Sequence, residues 1–196
     1  MKIVMLNGSA RKNGSTNALL TMIADHFKQS KFECDLINIS DYKINYCLGC
    51  QECKETKECK QIDDVKIIYE ILKTADLIIV ATPSYWGSVT GQLKVFFDRS
   101  LPYCDTIDGS SSFPKHKRAI SISIRAGAGK AENMEIIKSV EHYFSHLGIT
   151  PIGNITFENI RINTDLNSVS MREKIYTFTE ELISLLHNMN STPRKD

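Results

Sequence analysis

The chain is predicted to fold as an α/β three-layer sandwich around a five-stranded parallel sheet in the order 2-1-3-4-5, and three observations carry that prediction. Strand-like and helix-like hydrophobic periods alternate along the chain, five of each, as successive βαβ units do. Leu77-Ile78-Ile79-Val80-Ala81 is an unbroken aliphatic run, which marks a strand buried on both faces between two layers of helices. The length, 196 residues, suits one domain with an insertion rather than two independent domains. Right-handed crossovers leave few topologies for such a chain. Residues 1–190 are expected to form the domain, with a cysteine-rich insertion over 45–62 and a flexible tail over 191–196.

The elements follow in order. Lys2 to Leu6 is a strand, Asn7 to Ser15 a polar loop, and Thr16 to Phe27 a helix with Leu19, Leu20, Ile23 and Phe27 on one face. Glu33 to Ile39 is the second strand. Asp63-Asp64 opens a helix carrying Val65, Ile68, Tyr69 and Leu72, the carboxylates complementing its N-terminus. After the central strand, Thr82 to Thr90 is a loop and Leu93 to Phe97 a helix. The polar stretch from Tyr103 to His116 is expected to be exposed. Arg118 to Ile124 alternates as the fourth strand, Ala131 to Leu147 is a helix stopped by Gly148, Thr150 to Phe157 is the fifth strand, and Val169 to Asn190 the last helix.

Composition narrows the function. Lys plus Arg number 24 and Asp plus Glu 23, a net charge of +1, so no strong field attracts nucleic acid as the main partner. No run approaches the roughly 18 apolar residues of a membrane span, and the opening Met1 to Gly8 is too short an apolar stretch for a secretory signal. The expectation is a cytoplasmic protein without a membrane partner.

Ligands of open α/β sheets bind outside the carboxyl ends of the strands, where strand order reverses, so three loops matter. The first, Gly8-Ser9-Ala10-Arg11-Lys12-Asn13-Gly14-Ser15-Thr16-Asn17, sets hydroxyls, backbone N–H groups and Arg11 at a helix start, which suits a phosphate. It is neither a Walker loop nor G-x-G-x-x-G; a plain cap by Ser15 or Thr16 is the alternative. The second, Thr82-Pro83-Ser84-Tyr85-Trp86-Gly87-Ser88-Val89-Thr90-Gly91, contains the single Trp and offers an aromatic wall for a planar heterocycle, unless Tyr85 and Trp86 merely pack over the sheet end. The third, Arg125-Ala126-Gly127-Ala128-Gly129-Lys130, has small residues that leave room near the backbone.

Together these loops resemble the NADPH-dependent FMN reductase group of flavodoxin-like proteins. The resemblance runs from Lys2 to about Phe157 and rests on Gly8-Ser9-x-Arg11-x-x-Gly14-Ser15-Thr16, on Thr82-Pro83-Ser84-Tyr85-Trp86-Gly87, and on Gln92-Leu93-Lys94 with Phe97-Asp98-Arg99. It implies FMN, with Ser9, Arg11, Gly14, Ser15, Thr16 and Asn17 around its phosphate. Pro83, Ser84, Tyr85, Trp86 and Gly87 would lie against the isoalloxazine, and Gly127 would approach it from the third loop. In similar proteins the helix bearing Asp98 and Arg99 packs in a dimer interface. Phe96 and Phe97 are expected to supply the apolar patch there, and the Asp98-Arg99 pair its charged rim.

Four of six cysteines fall within thirteen residues, as Cys47-x2-Cys50-x2-Cys53-x5-Cys59, while Cys34 and Cys104 stand apart as packing residues. In a reducing compartment this is a metal or redox site rather than a disulfide framework. Consecutive x2 spacings suit one face of a [4Fe–4S] cube, whereas zinc sites tend to join two separated pairs; free or zinc-bound thiols remain the alternative. The segment resembles the cysteine motif of iron–sulfur flavoproteins, a branch of the same group. No catalytic side chain is expected, because flavin carries the chemistry. The reading is an FMN oxidoreductase with a [4Fe–4S] cluster, taking electrons from ferredoxin or NAD(P)H to a small acceptor, as a homodimer or homotetramer. The alternatives are a cluster-free NAD(P)H-dependent FMN or quinone reductase and a non-enzymatic flavin electron carrier.

Overall fold

A computed structural model describes residues 1–106 and 109–191. All five parallel strands form one sheet in the order β2-β1-β3-β4-β5, with β1 at Lys2–Asn7, β2 at Glu33–Asn38, β3 at Leu77–Pro83, β4 at Arg118–Ile124 and β5 at Thr150–Phe157. The helices are α1 (Ser15–Gln29), a single turn α2 (Cys53–Thr56), α3 (Val65–Thr74), α4 (Gly91–Asp98), α5 (Lys130–His146) and α6 (Val169–Ser191). Apart from Ser191, the expected tail lies outside the described residues.

Alternation along the central strands explains the three layers. Val4, Leu6, Ile78 and Val80 face a core built with α3, α4 and α5. Ile3, Met5, Leu77 and Ile79 face a second core built with α1 and α6. The six residues Leu77 to Thr82 are all buried, whereas β2 at the edge is mostly half-buried. At the other edge, Pro151 of β5 sits beside a register shift opposite Ala119 and Ile120, a place where a missing ladder donor is tolerated.

Two expectations fail here, and aromatic packing is the reason for both. Phe96 and Phe97 offer no surface patch: Phe96 stacks on Tyr69 with centroids 4.8 Å apart, and Phe97 on Tyr143 at 3.8 Å. Arg99 is buried as well, at 2% exposure, so it forms no charged rim. Nor is the stretch from Tyr103 to His116 exposed throughout. Tyr103 stacks on the other face of this cluster, 3.9 Å from Tyr69, and Cys104 and Phe113 are buried; residues 107 and 108 lie outside the described residues. Cys104 is thus a packing residue, as expected. The half-buried Cys34 is on β2, where desolvation pushes its thiol up to about 11.

Asn133, fully buried in the first turn of α5, fastens that helix to the carboxyl ends of β4 and β5. Its amide oxygen accepts from the Ser123 hydroxyl at 2.7 Å, and its amide nitrogen donates to the Phe157 carbonyl at 3.2 Å and to Glu158 at 2.8 Å. Asn133→Ala leaves the buried Ser123 hydroxyl without its acceptor, while the Phe157 carbonyl keeps the Arg125 N–H, and should lower stability by about 1–3 kcal/mol in urea unfolding; a loss within experimental error would show that water replaces the amide.

Candidate functional site

The first loop leaves β1 under tight control. Asn7, fully buried, donates through its amide nitrogen to Asn38 at the end of β2 (2.8 Å), and its amide oxygen accepts from the Ser9 N–H (3.0 Å). The Ser9 hydroxyl accepts in turn from the Arg11 N–H at 3.1 Å. Gly8 donates its N–H to the Ala81 carbonyl at 2.8 Å, so close an approach that a Cβ there would lie 2.8 Å from Leu93 Cδ2. The loop therefore hugs the β1–β3 junction before turning into α1.

No side chain caps α1: the N-cap is Gly14, and the alternative of a cap by Ser15 or Thr16 is not realised. The Ala18 N–H is bonded to the Gly14 carbonyl, and the first-turn N–H groups before it have no partner within the helix, which makes this end attractive to an anion. Thr16 is buried and Arg11 is exposed. The Ser15 hydroxyl donates to Asn163 at 3.1 Å, and Asn163 donates to the Asn13 carbonyl at 2.8 Å, so a residue far along the chain braces the loop.

The second loop is a two-residue turn. Tyr85 and Ser88 exchange backbone hydrogen bonds at 3.0 and 3.1 Å, and Trp86 and Gly87 at the tip are both left-handed, with φ of 55° and 73°. Trp86 is fully exposed and Tyr85 41% exposed, so these rings do not merely pack over the sheet. A strained, solvent-facing indole is costly unless something else covers it. Thr90 ends the loop, capping α4 by accepting from the Leu93 N–H at 3.3 Å and donating to the Gly8 carbonyl, which couples the first two loops.

Chain atoms fill the space that the small residues of the third loop provide. The Arg125 guanidinium folds over Gly127 and Gly129, where a Cβ would meet its nitrogens at 2.8 and 3.3 Å. It donates to the Gly129 carbonyl at 2.7 Å and pairs with Glu132 at 2.9 Å, and Glu132 also accepts from the Ser84 hydroxyl of the second loop.

The cysteine segment follows β2 and is closed at its stems. Lys43 N–H donates to the Asp64 carboxylate at 2.7 Å, and Asn45 N–H to Asp63 at 2.9 Å. Asp63 and Arg99 form an ion pair with both side chains 1% exposed. Arg99 spends one nitrogen on Asp63 (2.6 Å) and the Asn45 carbonyl (2.7 Å), the other on Asp63 (3.2 Å) and the Cys59 sulfur (3.4 Å). Burial alone would push the Asp63 carboxyl up. Hydrogen bonds from Arg99, Asn45 and Val65 and the Arg99 charge outweigh it and hold the group below its ordinary value.

Cys47 and Cys50 are exposed, Cys59 half-buried and Cys53 buried on α2, all as free thiols. Desolvation, then the neighbouring Cys59, Cys50 and Cys47, push the Cys53 thiol up, so the four sulfurs sense one another. Four thiols fit an iron–sulfur centre in number and chemistry. Among the described residues, however, no three His, Cys, Asp or Glu side chains converge as a metal site. Left-handed Gly49, Gln51 and Lys57 punctuate the segment.

Concavity and chemistry do not coincide. One cleft of about 600 Å³ lies between the end of the cysteine segment, α3, Pro102 to Cys104 and Ser110 to Ser112, and its charged lining is mixed, Lys57, Lys66, Lys73 and Arg99 with Glu58, Asp63 and Glu70. A groove of about 400 Å³ borders the carboxyl edge between Tyr42, Ile44 and Tyr46 and the start of α4.

A family model described as NADPH-dependent FMN reductase matches residues 1–160. The chain belongs to that family. An iron–sulfur flavoprotein of Archaeoglobus fulgidus is 37% identical over 153 residues, 78% of this chain and 66% of the relative. One from Methanocaldococcus jannaschii is 33% identical over 160 residues, 80% and 77% of the two chains. The chain spans about half to two thirds of the length of the first curated relatives it matches. The fold is flavodoxin-like: a flavone reductase superposes with a TM-score of 0.74 at 16% identity, over all of this chain and 66% of the other. An FMN-dependent NADH-azoreductase from Bacillus anthracis, in complex with FMN, does so at 0.68 and 14%, over 95% and 99%.

Asp63→Ala should cost about 3–5 kcal/mol, because it strands a buried guanidinium. The pair also sets a pH dependence. With the folded pKa of Asp63 depressed, its contribution is full above the unfolded value near 4 and is lost as pH falls through the lower folded value. Urea titrations between pH 7 and 2 should therefore show an acid loss of stability that Asp63→Asn lacks.

Proposed function

We propose that this member of the FMN reductase family binds FMN across its first two loops and works as an oxidoreductase or electron-transfer flavoprotein. The observation that carries the reading is the uncapped start of α1 beside the exposed Tyr85-Trp86 turn, at the β1–β3 junction where strand order reverses. FMN, when bound, supplies one- and two-electron chemistry. The chain's part is binding and shielding. First-turn N–H groups of α1, the hydroxyls of Ser9, Ser15 and Thr16, Asn17 and the Arg11 charge suit the phosphate. Pro83, Ser84, Tyr85, Trp86 and Gly87 provide the wall for the ring and exclude water from one face.

Cys47, Cys50, Cys53 and Cys59 would hold a [4Fe–4S] cluster, which relays single electrons. The names of the iron–sulfur flavoprotein relatives and the spacing of the donors favour it. Electrons would come from ferredoxin or NAD(P)H and pass to a small acceptor, and the chain would work as a homodimer or homotetramer. That the four sulfurs do not meet favours the second reading, a cluster-free NAD(P)H-dependent FMN or quinone reductase.

FMN should bind stoichiometrically. Replacing both Ser15 and Thr16 with Ala should weaken it by about 2 kcal/mol or more in equilibrium titration, and an unchanged affinity would remove the first loop from the site. Anaerobic reconstitution should give about four iron and four sulfide per chain, with Cys53→Ala losing both while retaining FMN. Protein that takes up no iron but turns over with NAD(P)H is the cluster-free reductase.

A further inference from the structure

His142 and His146 stand one turn apart at the end of α5, and neither belongs to the three loops or to the cysteine segment. Their Nε2 atoms lie 3.3 Å apart, with the two rings at 84° to one another. A tetrahedral metal imposes the same separation, since two nitrogens each about 2.0–2.1 Å from zinc sit about 3.3–3.4 Å from each other. Asp105 holds the second ring from behind. Its carboxylate accepts from His146 Nδ1–H at 2.8 Å, and its backbone N–H donates to the His146 carbonyl at 2.9 Å. A carboxylate can only accept, so neutral His146 carries its proton on Nδ1 and turns a bare Nε2 lone pair toward His142. Zinc-binding histidines are oriented in this way, with a carboxylate on the far nitrogen. A hydrogen bond from His142 Nε2–H to that lone pair is the metal-free arrangement, and the same ring positions serve both.

The surroundings suit a cation. His146 is the last residue of α5, at the negative end of the helix dipole. A cleft of about 300 Å³ between α4 and α5 is lined by both histidines and has room for the waters or ligand atoms that complete a coordination sphere. Lys94, which lines the same cleft, is paired with Asp98. Among the described residues no third His, Cys, Asp or Glu joins the pair; the Cys104 sulfur lines the cleft but is engaged by the Thr106 hydroxyl at 2.8 Å. We infer that His142 and His146 bind a borderline divalent cation of the zinc class, with Asp105 as the positioning residue behind His146 and with open coordination positions toward the cleft. Imidazole pairs select such ions over magnesium and calcium, which take oxygen ligands.

The test offers zinc anaerobically to the reduced chain and counts bound ions after equilibrium dialysis. Cys47, Cys50, Cys53 and Cys59 also take zinc, so the quantity read is the difference between parent and histidine variants in the same thiol state. The parent should hold one zinc per chain more than His142→Ala or His146→Ala. In NMR spectra the ring C–H signals of His142 and His146 should move with zinc and not with magnesium, while those of His26 and His116 stay. Asp105→Asn keeps an acceptor for Nδ1–H and both ligands, so it should reach the parent count at saturation with an affinity about 10- to 100-fold weaker. Equal counts in parent and both histidine variants, with the two ring signals unmoved, would show that only the thiols bind zinc and overturn the inference. Asp105→Asn that binds as tightly as the parent would overturn the part given to Asp105.

Discussion

The candidate ligand loops depend on the pairing of β1 with β3 at the middle of a sheet covered on both sides. With strand order reversing there, the chain must leave β1 toward one helical layer and β3 toward the other, and the loops diverge around a shared edge. The register makes that edge tight. Asn7 lies opposite both Asn38 and Ala81, Gly8 N–H reaches the Ala81 carbonyl, and Thr90 returns to the Gly8 carbonyl. Two consecutive residues at the end of β1 are thereby tied to three different segments. The uncapped start of α1 and the Trp86 turn are held beside this rigid seam rather than at the ends of floppy connections.

The cysteine segment obeys a different constraint. Cys47 and Cys50 are exposed, but the two stems of the segment meet at the buried Asp63–Arg99 pair. An ion pair in that position adds little stability relative to an apolar pair of the same size, since desolvation consumes most of the attraction. What it does is specify geometry. Arg99 has fixed acceptors on Asp63, on Asn45 at the start of the segment and on Cys59 at its end. The helix that follows the second loop, α4, therefore ends at the residue that places the cysteines, and the two candidate centres are joined through it.

Much of this was readable from residue order. The five strands and their parallel sense follow from period and from one aliphatic run, the order 2-1-3-4-5 is a choice among the few topologies that right-handed crossovers leave, and the first and second loops declare themselves by glycines, hydroxyls and the lone Trp. What was not readable has a common cause, pairing across long sequence separations. Asp63 reads locally as a helix-start carboxylate; that it meets Arg99, 36 residues on, depends on how α4 packs. Phe96 and Phe97 look like an exposed patch until Tyr69 and Tyr143 claim them. The third loop looks like room for a ligand, and Arg125 fills it. Thr90 was the missed residue with a local signal, a hydroxyl immediately before a helical Gly-Gln-Leu.

FMN is proposed at the β1–β3 edge, although a cleft of about 600 Å³ lies elsewhere, lined by Lys57, Lys66, Lys73 and Arg99 together with Glu58, Asp63 and Glu70. Crystals of the FMN complex decide between them. Electron density with the phosphate at the start of α1, among Ser9 to Asn17, and the ring against Pro83 to Gly87 is the expected result. A phosphate bound among the lysines of the cleft, with the Trp86 turn left bare, would contradict the account.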